Sequence, residues 1–189
     1  MRHVLRNDAA EALARLQSVV HTLTALPIER DAPEILLAQA IAAVGADGGV
    51  LGVVNDGVFI DTITYRGYSE QRVKSYGRLT VGPRFPLTDA VLRQQPVWLC
   101  GPAERIQHYP ELTGPEWPPT VACLPLLLGS RCVGVLGLTI EQERACFTPT
   151  ERSVLLTLAD ICAFILHRWQ LGVATSELRR NRRPPRART

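Results

Sequence analysis

The sequence predicts an α+β fold in which an antiparallel sheet is covered on one face by helices from the two ends of the chain. Three observations carry this. Two pairs of strand-like apolar runs are each joined by a tight turn, which makes each pair an antiparallel hairpin. Reciprocally capped amphipathic helices stand at both ends of the chain, and helices so placed share a layer on the sheet. The strands lie between them in one stretch without an internal repeat.

The first helix opens at Asp8 with Glu11 three residues on. It carries Ala9, Leu13, Leu16, Val20 and Leu23 on one face and stops before Pro27. A second helix repeats the cap with Asp31 and Glu34 and runs through Ile35, Leu36, Ala38, Ile41 and Val44. It ends at Gly45, a residue type that tolerates the left-handed position after a helix. Residues 50–54 and 58–65 are strand-like runs around Asn55-Asp56-Gly57, a turn sequence that accepts positive φ. Residues 69–76 and 88–94 are predicted as short helices flanking the linker Gly82-Pro83-Arg84-Phe85-Pro86, and a brief strand, Val97-Trp98-Leu99, follows.

Between Gly101 and Pro119 the chain holds Pro102, Pro110, Pro115 and Pro118 with His108, Tyr109 and Trp117. A compact domain keeps so long an irregular segment when it covers something, so it is predicted to be a lid. The second hairpin pairs Val121-Ala122-Cys123-Leu124-Pro125-Leu126-Leu127-Leu128 with residues 132–140 across Gly129-Ser130. The last helix has Thr148 as N-cap, Pro149 at the first helical position and Glu151 closing a capping box. From there Val154, Leu155, Leu158, Ile161, Cys162, Ile165, Leu166 and Trp169 fall within an arc of roughly 140° at 100° per residue. That stripe faces a core, and Phe164 lies outside it. After Leu171 the chain passes into an arginine- and proline-rich tail, residues 172–189, expected to be a disordered tail or linker.

A chain of 189 residues buries enough surface to fold without a metal or cross-link. The net charge of +3 conceals a polarity: Arg179, Arg180, Arg182, Arg183, Arg186 and Arg188 crowd the end, and removing their six charges leaves residues 1–178 at −3. The folded part therefore offers no basic face for nucleic acid. The five cysteines, at 100, 123, 132, 146 and 162, show no CxxC spacing and support neither a zinc site nor a disulfide framework. No apolar run approaches the ~20 residues of a membrane span, and the N-terminus leads into a polar helix, so a cytoplasmic protein without membrane association is expected.

Several local phrases occur in the order and spacing of a GAF domain: Gly45-Ala46-Asp47-Gly48-Gly49, Arg66-Gly67-Tyr68, Gln95-Pro96-Val97-Trp98-Leu99, Tyr109-Pro110-Glu111-Leu112, Leu124-Pro125-Leu126, Gly134-Val135-Leu136-Gly137-Leu138 and Phe147-Thr148. Over residues 8–171 the chain resembles that family, the small sensory module of bacterial signalling proteins and cyclic-nucleotide phosphodiesterases. The form with Tyr-Pro-Glu-Leu is similar to sensors of actinobacterial type, often attached to serine phosphatase, histidine kinase or RNA-binding output domains. The resemblance implies a sheet of five to six strands with N- and C-terminal helices packed on one face. Short helices and long loops would close a pocket on the other, as in GAF and PAS folds. It also implies a homodimer through the terminal helices, with Leu16, Val20, Phe164 and Trp169 at the interface, and a signalling output domain or protein as partner.

On that frame Tyr65, Tyr68, Phe85, Trp98, His108 and Tyr109 fall on pocket-side elements, either as walls of a small-molecule site or as filling of a closed pocket. Cys123 and Gly137 line the sheet floor if their side faces the pocket, and a one-residue register change would turn them away. His108 is the only lid histidine, so a haem ligand has a single candidate, and no cofactor and no metal are expected. The bilin Cys-His pair and the Asn-Lys-Phe-Asp-Glu signature of cyclic-nucleotide binders are absent. The expectation is a non-catalytic sensory or regulatory domain that binds a small molecule, dimerises, or both. The alternatives are an enzyme like free methionine sulfoxide reductase, for which Cys100 and Cys146 are the exposed thiols, and nucleic-acid association through the arginine tail.

Overall fold

In the computed structural model the residues described are 14, 17, 21, 31–70, 73, 77–114, 117–141 and 146–181, with side chains to 175. The elements are α1 (Ala32–Val44), β1 (Gly48–Asn55), β2 (Phe59–Arg66), β3 (Arg78–Thr80), α2 (Pro86–Arg93), β4 (Val97–Cys100), α3 (Pro102–His108), β5 (Thr120–Leu128), β6 (Arg131–Ile140) and α4 (Pro149–Asn181). The strands form one antiparallel sheet in the order β3-β2-β1-β6-β5-β4.

Both hairpins form where the turn chemistry places them. Asp56 and Gly57 take φ of 52° and 68°, and the Val58 amide donates to the Asn55 carbonyl at 3.0 Å, which closes a tight turn of the primed kind. In the second hairpin Leu128 pairs with Arg131 across Gly129-Ser130, with Gly129 at φ 59°. The chain leaves β1 by one hairpin and returns beside it as β6, so β1 and β6 form the centre of the sheet. The edge strand β3 was not foreseen, because three residues carry too little alternation to be noticed.

One face of the sheet is covered by α1 and α4. Leu36, Leu37 and Ala40 of α1, Leu51, Leu124, Leu136 and Leu138 of the sheet, and Leu155, Leu158 and Leu166 of α4 are all almost wholly buried in one core. Gly134 lets α4 pack closely on β6: a Cβ there would stand 2.5 Å from Leu166 Cδ2 and 2.6 Å from the Gly52 carbonyl. The helix packed beside α4 is thus the second of the two read near the N-terminus. The first helix, with Leu16 and Val20, lies outside the described residues, although Ala14, Gln17 and His21 within it are helical and exposed.

The capping box of α4 is complete. The Thr148 amide donates to Glu151 Oε2 at 2.8 Å, and the Glu151 amide donates to Thr148 Oγ1 at 3.2 Å. The predicted cap of α1 does not form: Asp31 sits at φ −92°, ψ 5° and its side chain makes no cap bond. An N-cap side chain reaches back over the first turn from extended backbone, which Asp31 lacks. At the other end Gly45 is left-handed at φ 61°, as its residue type requires.

Two expectations are corrected. The last helix continues ten residues past Leu171 to Asn181, where an irregular tail had been expected. Ala174, Glu177, Leu178, Arg179 and Arg180 favour helix and outweigh Gly172, which costs about 1 kcal/mol against alanine. Residues 182–189 lie outside the described residues. Secondly, Cys100 and Cys146 form a disulfide with Cα atoms 4.8 Å apart. Their separation of 46 residues gives no spacing signal, and only the folding of β4 against the segment before α4 brings them together. One segment, Pro149–Thr175, is long and apolar enough to cross a membrane by length and composition, but here its apolar stripe packs on the sheet.

Candidate functional site

The sheet has two apolar faces, and side-chain alternation sorts them. Paired residues share a face, so Val97 with Cys123, and Cys123 with Gly137, project away from the helices. Trp98 with Ala122, and Ala122 with Leu138, project toward them. Val50, Val121, Cys123, Gly137 and Thr139 thereby floor a cavity of about 130 Å³ on the face opposite α1 and α4. Its walls are Tyr68, Val73 and Leu79 on one side and Phe85, Pro86 and Leu87 at the start of α2 on the other. Arg105, Leu112, Trp117 and Pro118 roof it.

The roof is the proline-rich lid, and one arginine organises it. Arg105 is buried at 3% exposure. Its Nε donates to the Leu112 carbonyl at 3.0 Å, and its Nη1 donates to the carbonyls of Trp117 and Pro118 at 2.9 and 2.8 Å. A longer contact of 3.4 Å joins Nη2 to the Gly114 carbonyl. A planar fork of donors gathers the polar backbone of an irregular segment that would otherwise be buried without partners. The two ends of the lid are also joined, since the Gly101 amide donates to the Pro119 carbonyl at 2.7 Å.

Polar atoms in the cavity are few. Tyr68 Oη and Thr139 Oγ1 are 3.0 Å apart, and Thr62 adds a third hydroxyl to the lining. The thiol of Cys123 is buried, and that burial holds its pKa far above the ordinary cysteine range. It is a poor nucleophile there and a good piece of apolar floor. Among the described residues no group of His, Cys, Asp and Glu is arranged to hold a metal ion.

Of the residues singled out from the sequence, Tyr68, Phe85 and Cys123 line the cavity, with Gly137 beside them on the floor. Trp98 does not. It lies on the helical face, its ring 5.4 Å from that of Phe147 and under the Arg152 guanidinium at 5.1 Å. It and Cys123 occupy opposite faces because their positions on the paired strands differ by one residue. Tyr65 pairs with Val50 near the end of β2 and so shares the cavity face, but it stays 37% exposed and does not line the cavity. His108 ends α3 exposed to solvent. Tyr109 is buried within the lid beside Leu99 and Leu112 without lining the cavity, and its hydroxyl donates to Asp89 of α2. Phe164 is 56% exposed, and Trp169 is half-buried against the helical core.

Arg105, Trp117 and Thr139 belong to the cavity and were missed. Thr139 was within reach, since it shares parity with Gly137 on β6. Arg105 stands on α3, a helix hidden in a segment whose prolines argued for irregular chain.

The profile of the GAF domain family matches residues 29–167. No curated protein matches the chain in sequence. Among solved structures, the GAF domain of a phosphoenolpyruvate-protein phosphotransferase from Coxiella burnetii superposes with a TM-score of 0.74 at 19% identity, covering 88% of this chain and 98% of that one. Free methionine-R-sulfoxide reductase from Neisseria meningitidis, solved with its substrate, gives 0.68 at 17% identity, covering 87% and 93%. The GAF domain of a protein assigned as a sensor histidine kinase from Pseudomonas syringae pv. tomato gives 0.63 at 22% identity, covering 93% and 99%. At these identities the likeness to the three structures is one of fold.

Proposed function

The chain belongs to the GAF domain family, and on that premise we propose that it is a non-catalytic sensory domain whose lidded cavity takes a small, uncharged, largely apolar molecule. The observation that carries this is the cavity itself, roofed by an arginine-stapled lid and floored by Val50, Val121, Cys123 and Gly137. At about 130 Å³ it is close to the engineered apolar cavity of ~150 Å³ that binds benzene. A ligand of one ring or a short branched chain fits that space, and Tyr68 and Thr139 offer it hydroxyls.

Signal transfer follows from the layers. The floor of the cavity and the seat of α4 are the two faces of β5 and β6, so a shift of these strands on ligand binding is felt by Leu155, Leu158 and Leu166. Leu156, Phe164 and Leu171 leave an apolar strip exposed on α4, which suits pairing with a second copy through the terminal helices. A fused output domain or a separate protein would read the far end of that helix in the cytoplasm.

The enzymatic reading draws on the likeness in fold to the sulfoxide reductase. Against it stands the placement of thiols: Cys123 is the one cysteine at the cavity, its thiol is held protonated by burial, and neither Cys100 nor Cys146 lines the space. Nucleophilic attack on a sulfoxide needs an accessible, acidified thiol at the substrate.

Thermal denaturation in the presence of indole, toluene and cyclohexanol tests the proposal. A saturating ligand at about a hundred times its Kd adds roughly 2.7 kcal/mol to stability, which appears as a rise in Tm. If none of these probes moves the transition, and a screen of small neutral metabolites also leaves it unchanged, the cavity is only packing space and the reading falls.

A further inference from the structure

The Cys100–Cys146 pair lies outside the cavity, at the base of the lid, and its surroundings are unequal on the two sides. Cys146 receives Arg152 Nη2 at 3.2 Å from its sulfur. That guanidinium is held in place twice more, by Nε donating to the Phe147 carbonyl at 3.2 Å and by stacking 5.1 Å from the centre of the Trp98 ring. Cys100 has a carboxylate instead, its amide donating to Glu104 Oε2 at 2.7 Å. Among the described residues these are the charged groups in hydrogen-bond contact with the two cysteines. Both cysteines are half-buried, so a small reagent can reach them.

We propose that Cys100 and Cys146 are a reversible redox centre in which Cys146 is the attacking thiolate, Arg152 its stabilising cation and Cys100 the resolving thiol, with a hydroperoxide as oxidant. A fixed cation favours the thiolate, whereas a nearby carboxylate disfavours it, so the two sulfurs take different roles. In the oxidising step the Cys146 thiolate attacks the distal oxygen of ROOH and the O–O bond breaks. Cys146 becomes a sulfenic acid, and the alkoxide leaves as ROH after taking a proton. Cys100 then attacks the Cys146 sulfur, its own proton leaves with the hydroxyl as water, and the disulfide forms. Two electrons pass from the pair to the peroxide. A dithiol restores the pair by exchange and is itself oxidised to a disulfide. Attack falls on Cys100, because the Arg152-stabilised Cys146 thiolate is the better leaving group. A cytoplasmic setting, where standing disulfides are rare, suits a pair that cycles.

The test uses the full chain reduced with dithiothreitol, desalted, and pulse-alkylated with iodoacetamide at pH 7, with each site read by mass spectrometry. Cys146 is expected to react about tenfold faster than Cys100, with buried Cys123 and Cys162 as slow internal controls. Arg152→Gln should bring the two rates together, while Arg152→Lys, which keeps a cation, should preserve much of the difference. Treatment with tert-butyl hydroperoxide should remove both alkylatable thiols together, and dithiothreitol should return them. In Cys100→Ser the same oxidant should leave a dimedone adduct on Cys146, and Cys146→Ser should give none on Cys100. Equal or reversed alkylation rates in the wild-type chain, or failure of Cys100→Ser to give the adduct, would overturn the proposal, and neither readout depends on how the Arg152 variants fold.

Discussion

Tyr109 donates its phenolic proton to Asp89 Oδ2 at 2.7 Å, a bond between two buried side chains that ties the lid to helix α2. Arg93 Nε donates to the other oxygen of the same carboxylate at 2.7 Å. The lid is therefore anchored near its middle to the wall of the cavity it covers, and its second half is held by Arg105.

Tyr109→Phe keeps the ring and removes the donor, so a buried carboxylate loses one of its partners. The expected loss is about 1.5–3 kcal/mol in urea denaturation at pH 7. The pH dependence has a definite sign. Burial, then the bond to Asp89, raises the Tyr109 pKa above its ordinary value, so the folded state holds the proton longer than the unfolded chain does. The advantage of wild type over Tyr109→Phe is full below about pH 10 and declines as pH rises beyond it. An advantage that stays constant from pH 8 to 11 would contradict the assignment.

Arg105→Ala should open the lid, because the carbonyls of Leu112, Trp117 and Pro118 lose a shared donor. A stability loss of about 3 kcal/mol is expected, together with faster proteolytic cleavage between residues 109 and 119. Arg105→Lys keeps the charge but cannot reproduce the fork, and it should fall between the two. Equal proteolysis of all three chains would show that the lid is held by its apolar contacts alone.

Leu158 and Phe164 lie on one helix with opposite environments, at 0% and 56% exposure. Leu158→Arg places a charge in the helical core and should abolish the cooperative thermal transition, at a cost of at least 3–5 kcal/mol. Phe164→Arg should change stability by no more than about 0.5 kcal/mol and should reduce self-association in sedimentation velocity. A wild-type chain that is monomeric at all concentrations would remove the dimer from the proposed function.

Gly137→Val tests the cavity from its floor. A Cβ there would stand 2.9 Å from Leu87 Cδ1 and 2.9 Å from Val50 Cγ1. Leu87 can swing aside and the stiffer Val50 less so, which gives an expected cost of about 1–3 kcal/mol. The variant should fold and lose any Tm response to small apolar probes. A response equal to wild type would place the binding elsewhere.

Thr148→Ala removes the hydroxyl that accepts the Glu151 amide. The expected cost is about 1 kcal/mol by thermal denaturation. Asp31→Ala offers the contrast, since that side chain makes no cap bond and its loss should cost far less.

Much of the fold was legible because its signals are local. The Thr148–Glu151 box, the left-handed Gly45 and the turns at Asp56-Gly57 and Gly129-Ser130 depend on backbone preferences and hydrogen bonds within four residues. The stripe on α4 was legible for a related reason, since 3.6-residue periodicity identifies a buried face without naming what buries it. The site was legible only in part. Tyr68 and Phe85 stand at the cavity as read from the sequence, and Cys123 and Gly137 join them because the register turns their face to it, whereas Trp98, Tyr65, His108 and Tyr109 do not line it. A four-residue strand such as β4 is compatible with either face, and pairing with β5 alone settled that Val97 and Leu99, not Trp98, share the cavity side.

Local stereochemistry along the chain was thus enough to establish the course of α1, the start of α4, the two hairpins and the α+β class, because caps, turns and periodicity act between near neighbours. Folding in three dimensions settled which aromatic residues meet, how Arg105 gathers the lid, and that Cys100 lies beside Cys146. Each of these joins groups far apart in sequence, and their energies depend on burial and on partners that come within reach only after the sheet has closed against its helices.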